Sequence, residues 1–212
     1  MERITGLEPI QDVPEKVLLL YQAVERLIAE GADVNNIRVS AITERAGIGK
    51  GTAYDYFDTK DELIACALVF YIKKSSEEIS TALLQEKGFR EQILLIMNEI
   101  ENEGEKQQCF MRFVHVMTDN NECSRLVREK LTQDELGQCL PQKMFAEIIK
   151  RGRERGEIRR DVPEDYLICS IFARLMTYML CIYTEDCFKV NPKQMRPLVY
   201  QGIMEEFGGI VQ

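Results

Sequence analysis

With 212 residues, of which 45% are hydrophobic and 29% charged, the chain has enough apolar material for a globular core. Its formal net charge of −8 argues against a nucleic-acid partner, but weakly, because binding depends on which face carries the positive groups. A single histidine, His115, and seven scattered cysteines without a C-x-x-C pair argue against most metal and catalytic sites and indicate a reducing, cytoplasmic compartment. We therefore expect a protein that is not an enzyme and has no cofactor or metal.

The most apolar segment of the chain is Tyr166–Tyr183. It is close to the length of a membrane-spanning helix, but the charged Arg174 lies near its middle. We therefore expect a buried helix and no membrane partner.

Signals for helix starts recur along the sequence, and no sustained alternation of apolar and polar residues indicates a strand. Asp12-Val-Pro-Glu15 and Asp161-Val-Pro-Glu164 each combine an Asp cap, a proline in the first turn and a glutamate. Thr59-Lys-Asp-Glu62 and Asn191-Pro-Lys-Gln194 have the form of capping boxes. Together these signals predict an all-α protein.

Apolar periodicity places the helices between these signals. The first helix follows Asp12 and ends at Gly31, and a short second helix spans Val39 to Ala46 before Gly47. Later helices are predicted at 49–57, 59–84, 88–104, 105–117, 122–155 with an interruption near Pro141, about 162–184 and 191–208.

Two short helices joined by a glycine-containing turn, over residues 39–57, form the pattern of a helix-turn-helix. In such a unit the second helix enters the major groove of DNA. The side chains of that helix that suit phosphate oxygens and base edges are Lys50, Thr52, Tyr54 and Tyr56. The alternative is a helical hairpin that serves only packing.

A longer motif surrounds this helix pair and resembles the DNA-binding signature of the tetracycline-repressor (TetR) family. It runs from Ile42 to Leu63 and reads Ile-Thr-Glu-Arg-Ala-Gly-Ile-Gly-Lys-Gly-Thr-Ala-Tyr-Asp-Tyr-Phe-Asp-Thr-Lys-Asp-Glu-Leu. The resemblance covers roughly the first 70 residues. Beyond them it is architectural, because 152–159 before a helix starting at Pro163 looks like the family's junction between its seventh and eighth helices.

The resemblance implies which residues contact DNA. Lys50 and Gly51 would face the edge of the groove. The residues that would hold phosphates or contact the DNA backbone are Arg38, Ser40, Thr52, Tyr54, Tyr56 and Lys60.

Three features depart from the family pattern. The loop before the second helix is about two residues longer than usual, with Ile37 expected to pack inward. Arg38 stands where the family often has a capping threonine. Asp55 and Asp58 are acidic on or beside the recognition helix, and Asp55 is either an acceptor for a cytosine amino group or an exposed residue without a role.

Methionine and aromatic residues recur in the later helices and suit an adaptable apolar pocket. Ordinary core packing is the alternative for these residues, and a structural role is the alternative for His115. The residues of the expected effector pocket are Phe110, Phe113, His115, Met117, Phe145, Phe172, Met176 and Tyr178.

The sequence thus predicts a three-helix DNA-binding domain over residues 1–60 and a six-helix effector-binding and dimerisation domain over 61–212. The resemblance implies a homodimer formed by the last two helices and a repressor on a double-stranded, pseudo-palindromic operator. An apolar or amphipathic small molecule would release it. The rival interpretation is a helical ligand-binding or protein-interaction module without DNA binding, because residues 1–60 hold seven Lys and Arg against ten Asp and Glu.

Overall fold

The computed structural model describes residues 4–85, 88–102, 118–132, 141–183 and 189–208. Within these ranges the chain is helical, and its β structure is one antiparallel bridge between Ile158 and Gly208, which confirms the predicted all-α class. The helices are α1 (Glu15–Ala29), α2 (Val39–Ala46), α3 (Lys50–Tyr56), α4 (Lys60–Gln85), α5 (Phe89–Glu101), α6 (Glu122–Leu131), α7 (Pro141–Glu154), α8 (Glu164–Tyr183) and α9 (Pro192–Phe207). The helix predicted over 105–117 lies outside the described residues.

Two of the predicted helix caps are confirmed by their hydrogen bonds. At the start of α4, the Thr59 hydroxyl accepts from the backbone N–H of Glu62 at 3.0 Å, and the Glu62 carboxylate accepts from the N–H of Asp58 at 2.7 Å. At the start of α9, the Asn191 side chain accepts from the N–H of Lys193 at 3.0 Å. Both caps satisfy N–H groups that have no partner within their helix.

The predicted cap at Asp12 is wrong. Helix α1 begins at Glu15 with Pro14 at the N-cap, and no side chain caps it. Asp12 is instead the last residue of a preceding 3-10 turn, in which its N–H donates to the carbonyl of Pro9 at 2.9 Å. Asp12 therefore belongs to this turn and does not cap α1.

The predicted cap at Asp161 in the second Asp-Val-Pro-Glu signal is likewise wrong. Helix α8 begins at Glu164, and the carbonyl of Pro163 accepts from the N–H of Leu167 at 3.2 Å. The carboxylate of Asp161 forms an ion pair with Arg159 at 2.5 Å. Hydrogen bonding to Arg159 lowers the pKa of Asp161 to about 2.

The chain divides into two compact units, Met1–Ser76 with Gln108–Leu140, and Glu77–Gln107 with Pro141–Gln212. This division describes packing, and the functional boundary at residue 60 stays a prediction. In the first unit α1 packs on α2 and α3. Its core includes Val17, Leu20, Tyr21, Val24, Ile37, Ile42, Ala53, Phe57, Leu63 and Ile64.

In the first unit, residues 4–8, here called the amino-terminal strap, lie against α4. Ile4 is buried, and Gly6 has a left-handed φ of +82°. A Cβ at Gly6 would lie 2.9 Å from Cα of Cys66, which is closer than real Cβ contacts. Only glycine allows this approach of the strap to the helix backbone.

Two lysines hold the amino-terminal strap by its main chain. On α4, the Lys73 ammonium donates to the carbonyls of Leu7 at 3.1 Å and Glu8 at 3.3 Å. On α6, the Lys130 ammonium donates to the carbonyl of Thr5 at 2.6 Å. The strap therefore connects α4 and α6 within the first unit.

The second unit has its own apolar core, built from α5, α7, α8 and α9. Ring stacking between Phe89 and Phe207, with centroids 5.3 Å apart, closes one part of it. The buried core residues of this unit include Ile93, Met97, Phe145, Ile149, Leu167, Ile171, Leu175, Tyr178, Ile203 and Phe207.

Helix α8 is long and apolar enough over Glu164–Ile182 to cross a membrane by length and composition alone. Arg174 within it pairs with Glu206 of α9 at 2.9 Å, and Ser170 donates to the same carboxylate at 2.6 Å. Burial alone would raise the pKa of Glu206, but these donors lower it. A Cβ at Gly202 would lie 2.6 Å from the Arg174 guanidinium, so this glycine leaves room for the arginine on α9.

Candidate nucleic-acid interface

Helices α2 and α3 are joined by a three-residue turn, 47–49, in which the first glycine has a left-handed φ of +66°. The N–H of Gly47 donates to the carbonyl of Glu44 at 3.2 Å, and the N–H of Ile48 donates to the carbonyl of Thr43 at 2.9 Å. These bonds end α2 and redirect the chain into α3. The predicted helix-turn-helix pattern is therefore present in the described residues.

One face of α3 anchors the helix to the first unit. Ala53, Tyr56 and Phe57 are buried, with exposed fractions of 2%, 8% and 2%. The ring of Phe57 lies 6.1 Å from that of Tyr21 on α1, centroid to centroid. Because these positions follow helical spacing, the opposite face of α3 points away from the unit.

The outward face of α3 carries three of the five DNA-contacting residues predicted on this helix. Lys50, Gly51 and Asp55 are exposed, and Tyr54 is 53% exposed. Thr52 lies beside this face and is half-buried. The ammonium of Lys50, the phenol of Tyr54 and the bare backbone at Gly51 are therefore accessible to a partner.

Tyr56, predicted to hold a phosphate, lies on the buried side of α3. Its ring centroid is 6.4 Å from that of Phe57. With most of its surface covered, Tyr56 has far less area to offer DNA than Tyr54 has.

The predicted contacts at the start of α2 lie next to a structured loop. Ile37 is 5% exposed, which confirms the inward packing expected for it. Arg38 occupies the N-cap position without a side-chain cap bond and is exposed, while Ser40 is half-buried. The loop itself is held by Asp33, whose carboxylate accepts from the backbone N–H of Asn35 at 3.0 Å.

Lys60, at the start of α4, binds this same loop. Its ammonium donates to the carbonyl of Asn35 at 3.0 Å and lies 3.5 Å from the carboxylate of Asp61. An ammonium has three N–H donors, so this position leaves capacity for a phosphate oxygen. The contact with Asn35 was not predicted, because it joins residues 25 positions apart and no local pattern marks it.

Four of the predicted pocket residues lie in the second unit, and the other four, Phe110, Phe113, His115 and Met117, lie outside the described residues. Phe145 and Tyr178 are core residues, Phe172 packs partly buried against that core, and Met176 is half-buried. The hydroxyl of Tyr178 donates to the carboxylate of Glu101, which also accepts from Arg196. Sequence reasoning missed this polar group, whose members come from α5, α8 and α9.

Two cysteines of the first unit are sealed from solvent. The pKa of the thiols of Cys66 and Cys123 is raised to about 12, mainly by burial. Both therefore stay protonated at neutral pH and are poor nucleophiles. Within the described ranges, no group of three or more His, Cys, Asp or Glu side chains is placed to hold a metal ion.

The fold is similar to that of several solved proteins. The fatty acid degradation regulator FadR from Bacillus halodurans is 19% identical with a TM-score of 0.69, over 95% of this chain and 99% of that chain. The transcriptional regulator FadR from Bacillus subtilis, solved with stearoyl-CoA, is 16% identical with a TM-score of 0.66. The match covers 90% of this chain and 98% of that chain. A protein from Saccharomonospora viridis described as a candidate transcriptional regulator, solved with choline, is 18% identical with a TM-score of 0.67, over 92% and 98%.

A sequence comparison locates the family signature. No curated protein shows significant similarity to the chain. Residues 22–66, from α1 into α4, match the family model for bacterial regulatory proteins of the tetR family. By this match residues 22–66 carry the signature of the tetR family of bacterial regulatory proteins, and the chain has the fold of the solved proteins described above.

Proposed function

We propose that this protein is a cytoplasmic, non-enzymatic transcriptional repressor that binds a pseudo-palindromic DNA operator as a homodimer and leaves it when a small molecule binds. The observation that carries the proposal is the outward face of α3. Lys50 and Tyr54 are exposed there, with no hydrogen bond or ion pair in the described part of the chain. The fold does not use these groups, and they suit phosphates and base edges.

The proposed dimer is supported by an apolar stripe on α8. Tyr166 is 57% exposed, and Leu198 of α9 is 61% exposed. Cys169, Ala173 and Thr177 continue the stripe at helical spacing and are also exposed. A two-fold axis through such a surface would bury it on both protomers and set two recognition helices on half-sites about 34 Å or more apart.

The proposed effector is apolar or amphipathic. One relative by fold was solved with stearoyl-CoA and another with choline, so the fold alone does not choose between an acyl chain and a cation. Phe172 packs against an apolar core, and the carboxylate of Glu101, which accepts from the Tyr178 hydroxyl, is already paired with Arg196. A paired carboxylate attracts a cation weakly, which favours the acyl chain.

DNA binding is tested by selecting bound sequences from random DNA and measuring the affinity of variants for the selected site. Tyr54→Phe removes only a hydroxyl from an exposed ring, so a phosphate contact predicts a loss of about 1 kcal/mol on every sequence. Lys50→Ala should change the preferred base. Lys60→Ala should weaken binding and make its salt dependence shallower by about one unit.

The control for these variants is Lys150→Ala, at an exposed position of α7 in the second unit. It removes a charge of the same kind and should leave affinity and base preference unchanged. If the wild-type protein selects no sequence and shows no salt-sensitive binding, the regulator proposal fails. The module without DNA binding then becomes the better interpretation.

Dimer formation is tested by light scattering of Ala173→Glu at micromolar concentration. Ala173 is exposed in the protomer, so the variant should fold normally and be monomeric, while Lys150→Glu should remain dimeric. Peptide mapping adds a second readout, because alkylation of the exposed Cys169 should slow when dimers form. A wild-type chain that stays monomeric would contradict both the dimer and the palindromic operator.

The effector is tested with two probes, stearoyl-CoA and choline. A ligand that binds only the form released from DNA should stabilise the protein by about 2.7 kcal/mol at 100 times its Kd and displace the operator. We expect this of stearoyl-CoA and not of choline. Met176→Trp should block displacement while preserving operator affinity, and stabilisation by choline alone would contradict the amphipathic assignment.

A further inference from the structure

The exposed carboxylate of Asp55 lies on the outward face of the recognition helix. Ala53, Tyr56 and Phe57 define the buried face, and at about 100° per residue the centre of the opposite face falls at positions 51 and 55. Gly51 has no side chain, and a Cβ there would meet no atom of the chain within 4 Å. Asp55 is therefore the side chain nearest the centre of this face.

Helix geometry directs that carboxylate over the gap at Gly51. Residues four apart are neighbours on one row, and side chains lean toward the helix N-terminus. A partner that approaches the bare backbone at Gly51 must therefore also meet the carboxylate of Asp55.

The fold itself gains nothing visible from Asp55. Its carboxylate has no hydrogen bond or ion pair among the residues that the structure describes. It lies in the last turn of α3, where negative charge opposes the helix dipole, and aspartate is a poor helix former. A residue that disfavours its own helix and has no partner there suits a role outside the protomer.

A carboxylate at this position is selective, because it only accepts hydrogen bonds. Phosphates and the acceptor edges of guanine and thymine repel it, and adenine presents its amino group beside the acceptor N7. Only cytosine presents an amino donor with no acceptor of its own in the major groove.

We propose that Asp55 reads the amino group of one cytosine in each half-site and lowers the affinity for DNA that lacks it. The inference rests on the proposed function, since it requires that α3 enter the major groove. Asp55 is then a specificity-determining residue of this chain.

The test measures binding of wild type, Asp55→Ala and Asp55→Asn to the selected operator and to each single-base variant of it. Wild type should favour C·G at one pair of each half-site by about 10- to 100-fold. Asp55→Ala should lose the preference at that pair alone and bind random DNA several-fold more tightly. Asp55→Asn should shift the preference at that pair to adenine, because an amide matches adenine with both a donor and an acceptor.

The matched control is Asp58→Asn, which removes the same charge from an exposed residue just beyond α3. It should raise affinity for random DNA without altering any base preference. The proposal is overturned if both Asp55 variants keep every wild-type preference, if they only tighten binding to all sequences equally, or if Asp58→Asn changes the same base pair. A wild-type protein that binds no DNA would remove the proposed function and this inference together, whereas the other outcomes leave the function standing.

Discussion

Replacing Gly51 with alanine should change stability and DNA affinity in opposite directions. Glycine inside a helix costs about 0.5–1 kcal/mol relative to alanine, because the unfolded chain loses more freedom. A Cβ at Gly51 meets nothing within 4 Å, and the φ of this residue is not left-handed, so the chain accepts alanine without strain. We therefore expect Gly51→Ala to raise the free energy of unfolding by about 0.5–1 kcal/mol.

The same methyl group would stand on the face that approaches DNA. If the bare backbone contacts the groove edge, the methyl must separate the two surfaces and weaken operator binding by tenfold or more, about 1.4 kcal/mol. Urea unfolding and fluorescence anisotropy with labelled operator measure the two effects on one sample. Gly49→Ala is the control for stability, since Gly49 is at the N-cap and alanine there should not stabilise. A stabilised Gly51→Ala with wild-type affinity would refute close approach of DNA at this position.

Two further outcomes follow from the geometry. Gly6→Ala should destabilise the first unit by about 3 kcal/mol, because of its strained φ and the contact with Cys66. Gly47→Ala has a similar φ but open space around the new methyl group, so it should cost only about 1 kcal/mol. Thermal unfolding measures both variants. Glu206→Gln should cost about 1–3 kcal/mol at pH 7. Because the pKa of Glu206 is lowered in the folded protein, its stabilisation is present above pH 4.5 and is lost as the pH falls further. The free energies of unfolding of wild type and Glu206→Gln should therefore converge below pH 4.5. A difference that stays constant down to pH 3 would contradict that assignment.

Local chemistry made much of the fold predictable. Gly47 ends α2 and the Thr59 hydroxyl caps α4, as expected, because these features depend on residues within four positions of each other. The Asp12 cap failed for a reason that is also local, since the preceding 3-10 turn uses that residue first. Periodicity separates a buried from an outward face, but a seven-residue helix is too short for the pattern to rank Tyr54 against Tyr56.

The features that were not predicted join distant parts of the chain. Lys60 binds the carbonyl of Asn35, and Arg174 binds Glu206 across two helices. From sequence, Arg174 served only as an argument against a membrane span. Its partner Glu206 lies four residues after Gly202, on the side of α9 that accepts the guanidinium. The pairing depends on how the two helices pack, so the sequence did not predict it.

The way in which the amino-terminal strap is attached has a consequence for sequence divergence. Lys73 and Lys130 bind carbonyl oxygens, which every residue possesses, so the side chains at positions 5 and 7 are free to drift as far as these two contacts are concerned. Gly6 is the exception, since any Cβ there would strike α4. Relatives that keep this attachment would therefore share a glycine and two distant lysines while the strap itself looks unrelated.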